Sequence, residues 1–137
     1  QLNGIFRAQS GQPFDVRRNG VRVDLVGEPY TGETSGRYLD PAAFREAPAG
    51  RFGNLERNSL RAPSTYQLNL GVSKNFGIYE DIKLQFRTEF FNIFNTPQLT
   101  VPNTDLGNLD VNNGFGTIRS TQAFSNRQIQ FGLRLEF

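Results

Sequence analysis

Apolar and polar residues alternate with a strict period of two in three stretches of the chain. Tyr66, Leu68, Leu70, Val72 and Phe76 share one face with Lys74, while Gln67, Asn69, Gly71, Ser73 and Asn75 share the other. Ile82, Leu84, Phe86 and Phe90 lie with Thr88 against Lys83, Gln85, Arg87 and Glu89. Ile129, Phe131, Leu133, Leu135 and Phe137 alternate with Gln128, Gln130, Gly132, Arg134 and Glu136. A side-chain period of two is that of a β-strand, and each stretch has about the ~9 to 11 residues of a tilted membrane strand. Leu2 to Gln9 is a fourth candidate, in which Ile5 interrupts the polar face.

The seven prolines all fall outside these stretches, as ladder hydrogen bonding requires. The connections between them run long, short, long: Ser10 to Thr65, Gly77 to Asp81, and Asn95 to Asn126. In bacterial outer-membrane barrels short turns face the periplasm and long loops face outside, and a last strand ending in the periplasm has this order. Within the first excursion, Val16 to Val23 predicts a hairpin with a two-residue Asn19-Gly20 turn of type I′. That hairpin is a candidate extension of the barrel wall. The rest of the excursion, rich in Gly, Pro, Ser and Thr, reads as loop with short ordered stretches.

Composition removes other classes. No run approaches the ~20 apolar residues of a membrane-spanning helix, and no signal peptide opens the chain. Fifteen basic residues face thirteen acidic ones and are scattered, without the basic stripe a nucleic-acid partner selects. Cysteine and histidine are absent, which removes a disulfide framework, a thiol nucleophile, the commonest general base and the commonest transition-metal ligand. Neither an enzyme nor a cofactor is expected. The chain opens on Gln1, lacks methionine and is already strand-like at Leu2, so residues 1–137 read as a C-terminal fragment of a longer protein.

Alternation alone fits a soluble sandwich as well as a membrane barrel. The aromatics favour the barrel: Tyr66, Phe90, Phe91 and Phe94 cluster at the strand ends toward the long loops, and Phe76, Tyr79 and Phe137 at the opposite ends. Two aromatic bands are what membrane interfaces select. The expected fold is therefore all-β, an antiparallel transmembrane β-barrel of which this is a C-terminal segment of about four strands with two long extracellular loops. Four strands leave two free edges, which lipid does not tolerate, so the remainder of the barrel must close the sheet. Lys83, Arg87, Glu89, Arg134 and Glu136 would face the lumen, in reach of plug or substrate. More often such charges pair across strands, at ~0.2 to 1 kcal/mol each.

Several stretches resemble the barrel end of TonB-dependent outer-membrane transporters. They are Asp24-Leu25-Val26-Gly27, Asp40-Pro41-Ala42-Ala43-Phe44, Phe52-Gly53-Asn54-Leu55-Glu56-Arg57-Asn58-Ser59-Leu60-Arg61, Phe86-Arg87-Thr88-Glu89-Phe90-Phe91-Asn92-Ile93-Phe94-Asn95, Phe115-Gly116-Thr117-Ile118 and the final Arg127 to Phe137. The likeness is closest to the subgroup that often carries a carboxypeptidase-regulatory-like domain. It implies a plugged barrel of about 22 strands in the outer membrane of a Gram-negative bacterium, importing a scarce, bulky solute with energy from TonB. The partners so implied are outer-membrane lipid, the protein's own plug, TonB and the barrel-assembly machinery. Ile129, Phe131, Leu133, Leu135 and Phe137 resemble the terminal signal read by that machinery, whose chemistry is edge-strand addition.

Other candidates carry less. Asp110-Val111-Asn112-Asn113-Gly114 departs from calcium-loop spacing and reads as a turn. Asp24, Glu28, Tyr30, Glu33 and Tyr38 could engage an external ligand from the first loop. Competing readings are a structural or adhesive barrel, a passive pore, or a soluble β-sandwich binding module.

Overall fold

A computed structural model describes residues 1–34, 36–79, 81–108 and 114–137. In chain order they form β1 (Leu2–Gln9), β2 (Pro13–Phe14), β3 (Arg17–Arg18), β4 (Val21–Arg22), β5 (Asp24–Leu25), β6 (Gly36–Arg37), a 3-10 turn (Pro41–Ala43), β7 (Phe44–Arg45), β8 (Leu60–Arg61), β9 (Thr65–Tyr79), β10 (Ile82–Phe91), β11 (Thr117–Ile118) and β12 (Gln128–Glu136). The four long strands make one antiparallel sheet in the order β1-β9-β10-β12. The two-residue strands pair separately: β2 with β8, β3 with β4, β5 with β7, and β6 with β11. The chain divides into two compact units, residues 1–9, 65–98 and 123–137, and residues 10–64 with 99–122. The Asp110 to Asn113 stretch lies outside the described residues.

In the first unit the register carries the alternation across all four strands. Leu2, Val72, Thr88 and Phe131 form one row, and Gly4, Leu70, Phe90 and Ile129 the next. Phe76, Leu84 and Leu135 form a further row on that face. Matching periods thus merge into a single apolar surface, because side chains directly opposite share a face.

The turn between β9 and β10 is shorter than the expected Gly77 to Asp81, since β9 continues to Tyr79. Lys83 faces Gly77 while Ile82 faces Tyr79, so Ile78 is the extra residue of a bulge. That insertion breaks the period of two. It also returns Tyr79 to the apolar side, opposite Ile82.

Tyr66 and Phe90 lie toward one end of the apolar face and Phe76 and Tyr79 toward the other, with Phe137 just past the last paired row, whereas Phe91, expected in the first band, stands opposite Gln128 on the polar face. From Tyr66 to Phe76 the strand runs ~33 Å at ~3.3 Å per residue. Tilted by ~40°, that becomes ~25 Å, the height of an outer-membrane apolar band. At the Tyr66 end, Asn92 and Asn95 adopt left-handed φ of 50° and 52° and stop β10. Asn92 is buried and uses its amide on Thr96 O (2.8 Å), Ser125 O (2.6 Å) and Thr96 N (3.1 Å), and Asn95 Oδ1 accepts from Arg127 N at 3.0 Å. These bonds bring the start of β12 beside the end of β10.

The second unit is more ordered than a loop reading implies. Phe14, Val16, Val23, Leu39, Ala43, Phe44, Leu55, Leu60, Ala62, Leu106 and Phe115 form its hydrophobic core. The Asn19-Gly20 turn forms as predicted, with φ of 51° and 80° and Arg17 and Arg18 opposite Arg22 and Val21. The hairpin does not lengthen the barrel wall: it is a separate two-stranded ladder whose flanks, Val16 and Val23, enter this core.

The stretches that carried the family resemblance supply the packing here. Asp40 caps the 3-10 turn through Ala42 N at 2.9 Å, delivering Ala43 and Phe44 to the core. Asn54 closes the backbone of Leu25 in both directions, at 2.7 and 3.2 Å. Beside it, a Cβ on Gly53 would stand 2.1 Å from Val23 O, so only glycine fits. Phe115 is fully buried, edge-on to Phe44 at 5.1 Å.

Candidate functional site

The polar face of the four-stranded sheet gathers the predicted lumen residues. Lys83 stands opposite Glu136, Gln85 opposite Arg134, Arg87 opposite Gly132 and Glu89 opposite Gln130. All five charged candidates therefore occupy one wall. Their ion pairs run along the strands: Arg87 with Glu89 at 2.5 Å and Arg134 with Glu136 at 3.3 Å. The expectation of cross-strand pairing is corrected by this geometry. Gly132 offers Arg87 no carboxylate across the ladder, so its guanidinium turns to the same-face neighbour two residues on.

Amides fill most of the remaining wall. Gln85 donates to Asn75 at 3.0 Å, Gln67 to Asn69 at 3.3 Å, and Gln98 to Gln67, while Asn69 accepts from Asn92 N at 2.9 Å. The alternation already puts Gln67, Asn69, Asn75 and Gln85 on this face, but it does not show their bonds to one another or the part played by Asn92 and Gln98, which lie outside the alternating stretches. A hollow of about 240 Å³ opens on the same face, lined by Asn3, Ser73, Gln85, Arg87 and Glu89. It offers donors and acceptors of both signs.

The opposite face is apolar and uncovered. Leu2 is 72% exposed, Phe131 and Leu133 72% each, and Phe137 95%. A soluble sandwich would bury these side chains against a second layer. Ile129, Phe131, Leu133 and Leu135 line up on this surface along β12, the last strand in the sheet order, and Phe137 follows directly after it. Lys74, the single cation on the face, lays its ammonium 5.1 Å from the Phe76 ring, toward the turn-side aromatic band. This is how a lysine stem stays in lipid while its head reaches the interface.

In the second unit the candidate ligand residues divide. Asp24 is buried and fully engaged: Arg51 donates from both terminal nitrogens (2.9 and 2.5 Å), and Asn54 N donates at 3.0 Å. The Arg51 bonds, then that of Asn54, hold its carboxyl below the usual range. Asp15 is lowered likewise, chiefly by the backbone N–H of Asn58 and then by Arg17. Tyr30 and Tyr38 pack at 5.3 Å and clamp Arg61, Tyr30 Oη accepting from its N–H at 3.0 Å and Tyr38 Oη donating to its carbonyl at 2.9 Å. Burial raises the Tyr38 hydroxyl above its ordinary pKa. These three residues build the fold, whereas Glu28 and Glu33 remain exposed.

Compared with known protein families, residues 1–130 match a family described as outer membrane beta barrel domain. No curated protein and no solved structure matches the chain.

Proposed function

Since the chain belongs to the outer membrane beta barrel domain family, and so resides in the outer membrane of a Gram-negative bacterium, we propose that it is part of a barrel for TonB-energised uptake of a solute. Family membership removes the soluble β-sandwich reading. The observation that carries the proposal is the wall itself. One face is apolar over the thickness of a membrane, and the other presents Lys83, Arg87, Glu89, Arg134 and Glu136 among amides. Such a face suits a wide hydrated lumen, with room for a plug, better than a narrow barrel filled by its own side chains.

TonB dependence rests on the likeness of the stretches from Asp24-Leu25-Val26-Gly27 through Phe115-Gly116-Thr117-Ile118 and the final strand to transporters of that kind. In this reading the partners are lipid, further strands that close the sheet, a plug, TonB and the assembly machinery. The barrel transports and performs no catalysis. A passive pore is the competing reading.

Planar-bilayer conductance of the full-length protein, combined with retention on immobilised TonB periplasmic domain, separates the two. A plugged transporter stays closed and is retained. Steady open conductance without retention would assign a passive pore.

A further inference from the structure

A hollow of about 360 Å³ lies wholly within the second unit, with three arginines on its lining, Arg18, Arg22 and Arg51. Its volume falls in the range of small-molecule sites, ~300 to 1,000 Å³. Two of the arginines are already committed. Arg18 Nε lies 2.9 Å from Glu46 as an ion pair without hydrogen-bonding geometry, and Arg51 grips Asp24. Arg22 has a different environment: its guanidinium carbon sits 5.7 Å from the centre of the Phe52 ring, and it takes part in no salt bridge among the described residues. Arg22 is thus the arginine of this lining with no carboxylate against it among the described residues.

Besides the arginines, Glu46 and Asn19, the lining is apolar, with Val21, Val23, Pro48 and Phe52. Val21 and Phe52 are 46% and 73% exposed, so apolar surface is open to a visitor. The frame is fixed on both sides. Arg22 stands on a type I′ hairpin, and Phe52 lies between Arg51, pinned by Asp24, and Gly53, whose N–H bonds Arg22 O at 3.2 Å. Groups held in this way lose little freedom when a ligand arrives.

We propose that this hollow is a binding site for a small monoanion with a flat apolar body, its carboxylate on the free fork of Arg22 and its body against Phe52, Val21 and Pro48. A planar guanidinium matches a carboxylate with two parallel bonds, and the one arginine of the lining without a carboxylate partner offers a place for one carboxylate. The site does not depend on TonB-driven transport, since a passive or adhesive barrel would carry it equally.

Benzoate is the smallest probe with both features, and benzamide is its neutral isostere. Both are titrated by ligand-observed NMR against the full-length protein in lipid nanodiscs. Saturable benzoate binding is expected, with benzamide weaker by about tenfold or more, the size of a lost charge-assisted contact. R22Q should weaken benzoate to the benzamide level, R22K should fall between the two, and F52A should weaken both probes. R119Q, at an exposed arginine of the same unit, should change nothing. Equal binding of benzoate and benzamide, wild-type binding by R22Q, or no saturable binding would overturn the assignment.

Discussion

Three donors converge on the buried carboxylate of Asp24, and the stability they supply depends on its staying ionised. Its folded pKa lies below the ordinary 3.8, so the stabilisation is complete above that value and fades as pH falls through the folded one. Pepsin, active across this window, reads the effect on the second unit: cleavage between residues 22 and 55 should rise as pH drops below 3.8. In D24N the same cuts should appear already at pH 5, with a residual acid transition from Asp15, whose carboxyl is lowered too. An identical cleavage profile for D24N and the parent would show that the pair does not order this region. The sequence made Asp24 visible only as an acidic loop residue. Its donors Arg51 and Asn54 lie 27 and 30 positions away, and no local pattern announces a pair at that separation.

At the scale of elements, legibility follows periodicity. The four long strands and their apolar faces are readable from the alternation, with Leu2 to Gln9 the weakest of them because Ile5 interrupts its polar face, whereas the pairing register comes from the structure. The two-residue ladders of the second unit were not, except the hairpin, whose Asn19-Gly20 turn has its own signature. The end of β9 was hidden by the bulge at Ile78, which shifts the phase.

Strand β12 supports a graded test. Phe131, in the Val72 row, lies near the middle of the apolar band, and Leu135, in the Phe76 row, near its edge. Phe131→Arg should destabilise the assembled barrel by ~2 to 4 kcal/mol and Leu135→Arg by ~1 or less, as measured by denaturant unfolding in lipid. Equal effects would contradict this placement of the membrane.

Deleting Phe137 asks a separate question. It is 95% exposed and lies beyond the last paired row, so its loss should leave folding into pure lipid vesicles unchanged. A signal for the assembly machinery predicts lower barrel levels in cells alone. A matching loss in vesicles would assign Phe137 to packing instead.

The whole molecule joins two different answers to the hydrophobic effect. The sheet unit keeps its apolar side chains outward for lipid, and the other unit collects its own around Phe115 and Phe44. That core draws on both long excursions, Phe14 to Ala62 from the first and Leu106 and Phe115 from the second. Sequence reading missed it because these residues are dispersed over both excursions with no regular period. Phe115→Ala empties the centre of the core, at ~3 to 5 kcal/mol for a buried phenylalanine. Trypsin added to intact cells should then cut at Arg37 and Arg57 in the variant and spare the parent, while heat-modifiable migration of the barrel stays as before. Loss of that migration would mean that the barrel cannot form without the second core. Unchanged trypsin resistance would mean that Phe115 is not what orders the excursions. The expected split, new cuts with an intact barrel, follows because no side chain of the Phe115 core belongs to the four-stranded sheet.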